Sequence, residues 1–271
     1  MKKQFLAAAA SVAALFAATP ASAVTFGQPD GNGHPFVGTL VFERAEGYFS
    51  CSGTLMSSTV LMTAGHCTEE LGVTNLNTWV RFTSTVPWGN SGCHTRACLN
   101  AFLDNPANGW IKGTAHPHPS YNDFAQFPAN FDVGVVELST PVSMATYGDL
   151  PPLGFLTTIR NARDNHFTVV GYGMQGLIKP FLSDVWERYV GALKLLELNS
   201  AYNGGSNAKY TNNAGTKGGT CFGDSGGPIF YADTNVVVSI VSFGITPCIG
   251  VDFNFRTDIQ TTQDFVDSYL D

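Results

Sequence analysis

The chain has 271 residues with 14 Lys plus Arg, 21 Asp plus Glu and six Cys, a formal net charge of -7, and 44% apolar against 13% charged residues. That length supports one large core or two small ones, and 12% aromatic content excludes a disordered chain, which would need low hydrophobicity and high net charge. The basic residues are few and scattered, which argues against a nucleic-acid partner, because phosphate binding needs clustered Lys and Arg.

At the start, Lys2 and Lys3 precede a small and apolar run over residues 5–18, then Pro20 and the triplet Ala21-Ser22-Ala23. These are the three regions of a secretory signal peptide, so residues 1–23 are expected to be removed. Taking 23 from 271 leaves 248 residues, and losing two lysines moves the net charge from -7 to -9. No other stretch holds eighteen consecutive apolar residues, so the mature chain is expected to be free of the membrane, secreted to the outside or the periplasm.

With 29 Gly and 14 Pro between β-branched runs, the mature chain reads as many short strands. Strands are expected at residues 36–42, 54–62, 79–82, 133–138, 167–172 and 236–243. Residues 183–198 are ambiguous, since Val185, Trp186, Tyr189, Val190 and Leu193 also fit a helical stripe. Residues 261–270 read as an isolated helix with Phe265, Val266, Tyr269 and Leu270 on one face. Residues 141–152 carry proline and little pattern, and they are the best linker between two all-β halves.

Export gives the cysteines a meaning. Cys51, Cys67, Cys93, Cys98, Cys221 and Cys248 are even in number and would meet an oxidising compartment, which favours disulfides. Six cysteines allow about 15 pairings, and spacing alone does not choose among them. A metal reading would use Cys93-His94 with Cys98, or His116-Pro117-His118, but neither has a second ligand pair at metal spacing. No metal or other cofactor is expected.

The densest chemical signal is Gly219-Thr220-Cys221-Phe222-Gly223-Asp224-Ser225-Gly226-Gly227-Pro228. Glycines around a serine allow a tight turn and bring backbone amides close to a substrate carbonyl. Gly223-x-Ser225-x-Gly227 also fits the nucleophile elbow of α/β-hydrolases, where the histidine follows the serine, yet all six histidines here precede Ser225. A serine needs a base, and the best is His66 in Thr63-Ala64-Gly65-His66-Cys67, where a strand ends in small residues and a cysteine can pin the loop. The base needs an anion to hold its tautomer, and Asp132 opens the apolar run at 133–138.

In combination these segments resemble the chymotrypsin and trypsin family of serine endopeptidases, in its bacterial secreted form. Thr63-Ala64-Gly65-His66-Cys67 is similar to the family's histidine segment, Asn130-Phe131-Asp132-Val133 to its aspartate strand, and Gly223-Asp224-Ser225-Gly226-Gly227-Pro228 to its serine motif, in the same order. The resemblance implies an all-β fold of two antiparallel six-stranded β-barrels with a C-terminal α-helix. The first barrel would span residues 24–145 and the second 146–271, and 183–198 would be mainly strand from Tyr189 onward. It implies Ser225 as nucleophile, His66 as base, Asp132 as its partner, and the amides of Gly223 and Ser225 as oxyanion hole. Cys51 would pair with Cys67 and Cys221 with Cys248, leaving Cys93 with Cys98. An activating ion pair would join the ammonium of Val24, exposed by signal cleavage, to Asp224, although Val24-Thr25-Phe26-Gly27 departs from the family's usual start. Partners would be protein or peptide substrates and proteinaceous inhibitors of a monomer.

For specificity the resemblance puts Gly219 at the pocket base, Ser242-Phe243-Gly244 on the substrate-binding strand and Asn254 on the far wall. Trypsins carry Asp at the base, so an open Gly219 implies uncharged or aromatic side chains, unless Asp252 or Arg256 reaches the pocket. Besides the endopeptidase, an inactive relative used for binding and an esterase on the same scaffold are the other readings of these motifs.

Overall fold

A computed structural model describes residues 24–70, 72–86, 92–161, 163–175, 186–244 and 248–270. The expected signal peptide, residues 1–23, lies outside them. Strands follow in chain order as β1 (Gln28–Pro29), β2 (Val37–Glu43), β3 (Tyr48–Leu55), β4 (Val60–Thr63), β5 (Glu69–Glu70), β6 (Val73–Thr74), β7 (Asn77–Arg81), β8 (Ile111–Pro117) and β9 (Gly134–Leu138). The second half adds β10 (Phe167–Gly171), β11 (Tyr189–Leu193), β12 (Leu195–Glu197), β13 (Asn207–Asn212), β14 (Pro228–Tyr231), β15 (Val237–Gly244) and β16 (Gly250–Arg256). Two α-helices are present among the described residues, α1 (Arg96–Leu103) and α2 (Gln260–Asp267).

Strands β2, β3, β4, β9, β8 and β7 close a six-stranded antiparallel barrel around Leu40, Leu55, Leu61, Trp79, Val80 and Val135. Residues 54–62 are not one strand: the chain turns at Ser57, whose hydroxyl accepts from the Thr59 and Val60 amides, and β4 folds back on β3. The second half is one sheet in the order β1-β11-β10-β14-β15-β16-β13-β12, around Phe167, Val169, Tyr210, Ile229 and Val238. Its far ends, β11 and β12, are a single stretch of chain broken only at Lys194. There Lys194 exchanges hydrogen bonds with Thr211 on β13, so the sheet curls into a six-stranded ring with β1 laid on its outside. Tyr189–Leu193 is thus strand, and the helical stripe loses to pairing with β10 and β1. The start of the ambiguous run, residues 183–185, lies outside the described residues.

The division at residue 145 needs correction at both ends. Val24 and β1 belong to the second half, because Val24 is fully buried in that core and Gln28 pairs with Val190. Arg188 locks the segment down from beneath, donating to Asp30 Oδ2 at 2.7 Å and to the Gly31 carbonyl at 2.8 Å. Conversely, α2 packs Phe265 and Val266 into the first core, beside His118. Each half is strapped by a terminal segment that the other would have claimed by sequence position. Residues 141–152 run between the halves, with Val142 donating to Ser58 and Asp149 to Asn235. The second helix, α1, was not expected; Thr95 caps it by accepting from the Cys98 amide.

Candidate active site

The halves meet along a cleft of about 860 Å³ lined by His66, Ser225, Gly223, Ser242, Phe243 and Gly244, among others. His66 sits in a single 3-10 turn (Gly65–Cys67) directly after β4, and the Cys51–Cys67 disulfide ties that turn to β3. Its Nδ1 lies 3.0 Å from Asp132 Oδ2, and its backbone amide donates to Asp132 Oδ1 at 2.9 Å. Arg44 donates to the His66 carbonyl at 2.6 Å, holding the turn from the outer side.

Asp132 is fully buried just before β9. Burial alone would raise its pKa, but the charge and ring hydrogen bond of His66, the Ser242 hydroxyl and the His66 amide together hold it below the ordinary carboxylate value. Burial would lower the pKa of His66, and the Asp132 carboxylate overrides this and raises it. Ser242 therefore does more than line the cleft. Its hydroxyl reaches from the second half to donate to Asp132 Oδ2.

Ser225 is brought to the same cleft by a loop clamped from two directions. Cys221 is bonded to Cys248, a closure worth about 3.5 kcal/mol in chain entropy. Ser52, next to Cys51, donates its amide to the Ser225 carbonyl at 2.8 Å and its hydroxyl to the Gly223 carbonyl at 2.9 Å. One residue of the first barrel thus sets the serine loop against the histidine turn. Gly223 has φ +97°, and a Cβ there would come within 2.9 Å of Gly173 Cα, so only glycine fits the turn without strain. Among the described residues, neither the Gly223 nor the Ser225 amide donates to a protein group. No hydrogen bond joins the Ser225 hydroxyl to His66 among them either; such contacts commonly tighten only with substrate bound.

Asp224 is fully buried, accepting from the Gly173 amide at 2.8 Å and the Cys221 amide at 2.9 Å. Burial pushes its pKa up to about 7 against those two bonds, and Asp252 adds to the rise. Val24, its expected partner, is buried beside Gly191. The remaining cysteines, Cys93 and Cys98, form the third disulfide. Cys51, His66 and Cys67 lie close enough together to hold a metal, but both sulfurs are spent on each other.

Two expected pocket residues lie elsewhere. Asn254 is buried with its Oδ1 accepting from the Ser242 amide, where β15 bulges between Val241 and Phe243, so its side chain serves the backbone and not the cleft. Gly219 does not line the cleft: a Cβ there would overlap Asn212 Oδ1 and lie 2.5 Å from Thr25 Oγ1. Thr220 and Asp252 line it instead. Arg256 is held by Asp258 at 2.7 Å. Phe243, expected on the substrate-binding strand, stacks on Phe253 and stands edge-on to Phe124 and Phe127, forming an aromatic wall beside His66; its other members were not singled out from sequence, because Phe124 and Phe127 are far from Phe243 along the chain.

The family model described as Trypsin matches residues 25–266. A trypsin of Saccharopolyspora erythraea is 28% identical over 218 residues, covering 78% of this chain and 82% of that protein. A trypsin alpha of Drosophila erecta is 29% identical over 207 residues, 74% of this chain and 70% of its own length. Among solved structures, HL collagenase superposes with a TM-score of 0.67 at 18% identity, covering 91% of this chain and 98% of that one. A scabies mite inactivated protease paralogue superposes with a TM-score of 0.66 at 14% identity, covering 91% and 97%. Likenesses at that identity speak for the fold alone. Among the described residues no helix is long and apolar enough to cross a membrane.

Proposed function

The chain belongs to the trypsin family and is a serine endopeptidase, and from that premise we propose that Ser225, His66 and Asp132 carry the hydrolysis. The observation behind this reading is the His66–Asp132 contact, an imidazole held by a buried carboxylate in the cleft that Ser225 also lines. His66 Nε2 takes the proton of the Ser225 hydroxyl as its Oγ bonds to the scissile carbonyl carbon. The carbonyl oxygen becomes an oxyanion received by the Gly223 and Ser225 amides. His66 then gives its proton to the leaving amine, the C–N bond breaks, and an acyl-enzyme remains. Water, deprotonated by His66, releases the acid and restores Ser225. Asp132 stays ionised throughout and stabilises the imidazolium. This is the triad mechanism of the family.

The fold gives the scheme its rigidity. Base and nucleophile come from different halves, and Ser52 and Ser242 each bridge them at the site. Activation follows from Asp224. A chain beginning at Val24, after signal cleavage at Ala23, would place an ammonium where the buried carboxylate has only uncharged donors, and the serine loop would be fixed by that pair. Secretion belongs to the same reading. An organophosphate should label the exported protein at one site, and Ser225→Ala should abolish both labelling and peptide hydrolysis. Labelling that survives in Ser225→Ala sinks the assignment. N-terminal sequencing of secreted protein should begin at Val24.

A further inference from the structure

The cleft holds a carboxylate that the hydrolytic scheme does not use. Asp252 on β16 is 2% exposed, stands opposite Gly244 on β15 and lines the cleft with Thr220, Cys221, Ser225 and Cys248. Its Oδ1 accepts from Asn212 Nδ2 at 3.0 Å, and its Oδ2 from the Thr220 amide at 3.1 Å and hydroxyl at 2.8 Å. All three donors are uncharged. The nearest cation in sequence, Arg256, is engaged by Asp258 through two hydrogen bonds and by the Gly205 carbonyl. Among the described residues no cation pairs with Asp252.

An isolated carboxylate is costly to bury unless something compensates its charge. Here burial pushes the pKa up to about 6, in keeping with an acid that has bonds but no counter-charge. A carboxylate offers about four acceptor positions, and three are taken. The fourth is taken by no described group, and Asp252 lines the cleft.

The side chains behind Asp252 fix that charge in place. Thr25 donates its hydroxyl to Asn212 Oδ1 at 2.7 Å, so the Asn212 amide nitrogen must point the other way, to the Thr220 carbonyl and Asp252. Gly219 is the residue that makes room for this relay, since a Cβ would overlap it. The glycine that by resemblance leaves an open pocket base is glycine because Thr25 and Asn212 occupy the space behind it. In this chain the buried charge beside the cleft is at residue 252, and residue 219 carries none.

We propose that Asp252 is the specificity-determining residue of the cleft, and that it takes the cationic side chain of lysine or arginine on the residue immediately before the scissile bond. This reverses the preference for uncharged or aromatic side chains implied by Gly219, and it rests on the reading of Ser225 as nucleophile.

The test has two arms. The first compares kcat/KM on peptides that differ only before the scissile bond. Arg and Lys should exceed Gln and Phe by about a hundredfold or more, and Asp252→Asn should lower the Arg value about a hundredfold more than the Phe value, the cost of removing a buried charge partner. The second arm needs no turnover. Ser225→Ala protein is titrated calorimetrically with benzamidine and with the neutral benzamide, and benzamidine should bind at least about tenfold more tightly. This arm still decides the matter if Asp252→Asn fails to fold. A preference for Phe or Leu, or equal binding of benzamidine and benzamide, overturns the proposal. Tight benzamidine binding by a wild-type protein that cleaves no peptide would support the Asp252 pocket while rejecting the hydrolytic reading.

Discussion

The two halves of the cleft treat their buried acids in opposite ways. On the histidine side, Asp132 has a ring, an amide and a hydroxyl around it, and its pKa falls. On the serine side, Asp224 and Asp252 are equally enclosed but meet only uncharged donors, and theirs rise to about 7 and about 6. Burial is common to all three; the difference is a partner able to carry positive charge. The histidine side is electrostatically complete in the chain itself. On the proposed reading, the serine side is completed by two cations, the ammonium that signal cleavage would free at Val24 for Asp224 and a substrate side chain for Asp252.

The largest effect should come from breaking the complete side. Asp132→Asn keeps the shape but removes the anion, and kcat should fall about ten-thousandfold, the loss that follows when the histidine of such a triad is left in the wrong tautomer. The residual activity carries a second signature. Asp132 raises the pKa of His66, and activity needs neutral His66, so the acid limb of the pH–rate profile should move to lower pH in the variant. An unmoved limb would mean that another group controls it.

Next in size is the Asp224 contact. In a chain that continues before Val24, the raised pKa means that the folded state holds its proton more tightly than the unfolded state, whose value is near 3.8. The stabilisation is present in full below that value and is lost as pH rises toward 7, a span worth at most roughly 4 kcal/mol. The full chain should therefore melt at a lower temperature at pH 8 than at pH 5. A chain starting at Val24 supplies an ammonium, and its melting temperature should show much less of this decline. Identical pH dependence in the two chains would detach Val24 from Asp224.

The candidate triad could be singled out from sequence on both sides of the cleft, because His66, Asp132 and Ser225 each stand in a short motif whose residue types the proposed chemistry requires. The proposed role of Asp252 could not, because position along a chain does not say where a side chain points. Gly219 has the expected spacing, yet its Cβ direction faces Thr25 and Asn212. Asn254 is drawn to the bulge at Ser242, a feature no count of residues reveals. Strand β13, Asn-Ala-Lys-Tyr-Thr-Asn, has a polar sequence because Asn207 and Asn212 are buried for their hydrogen bonds. Tertiary partners, not pattern, make it a strand.

A smaller effect should appear in the pH dependence of selectivity. Below about pH 6 Asp252 takes up a proton and its attraction for a cation fades. The ratio of Arg to Phe hydrolysis should then fall gently near the midpoint and steepen toward about tenfold per unit of pH below it, a titration slope. The ratio cancels the titration of His66, which affects both substrates alike. A ratio constant from pH 4.5 to 8, outside any titration, would remove Asp252 from substrate contact; these limits are about 1.5 units below and 2 above the expected midpoint.

The smallest effect tests whether the relay behind the pocket matters. Thr25→Val keeps the volume and β-branching of a residue only 1% exposed but deletes the hydroxyl that orients Asn212. With Oδ1 unpartnered, the amide is anchored on one side only, and its Nδ2 bond to Asp252 is held less firmly. One such hydrogen bond is worth about 1 kcal/mol, or about fivefold in KM. The loss should fall on Arg peptides through KM with kcat retained, and Phe peptides should be spared, since they do not use the carboxylate. General loosening of the N-terminal segment would act through the serine loop, lowering kcat for both substrates together. The split between KM and kcat therefore tells whether Thr25 positions the pocket's charge or merely seats the terminus.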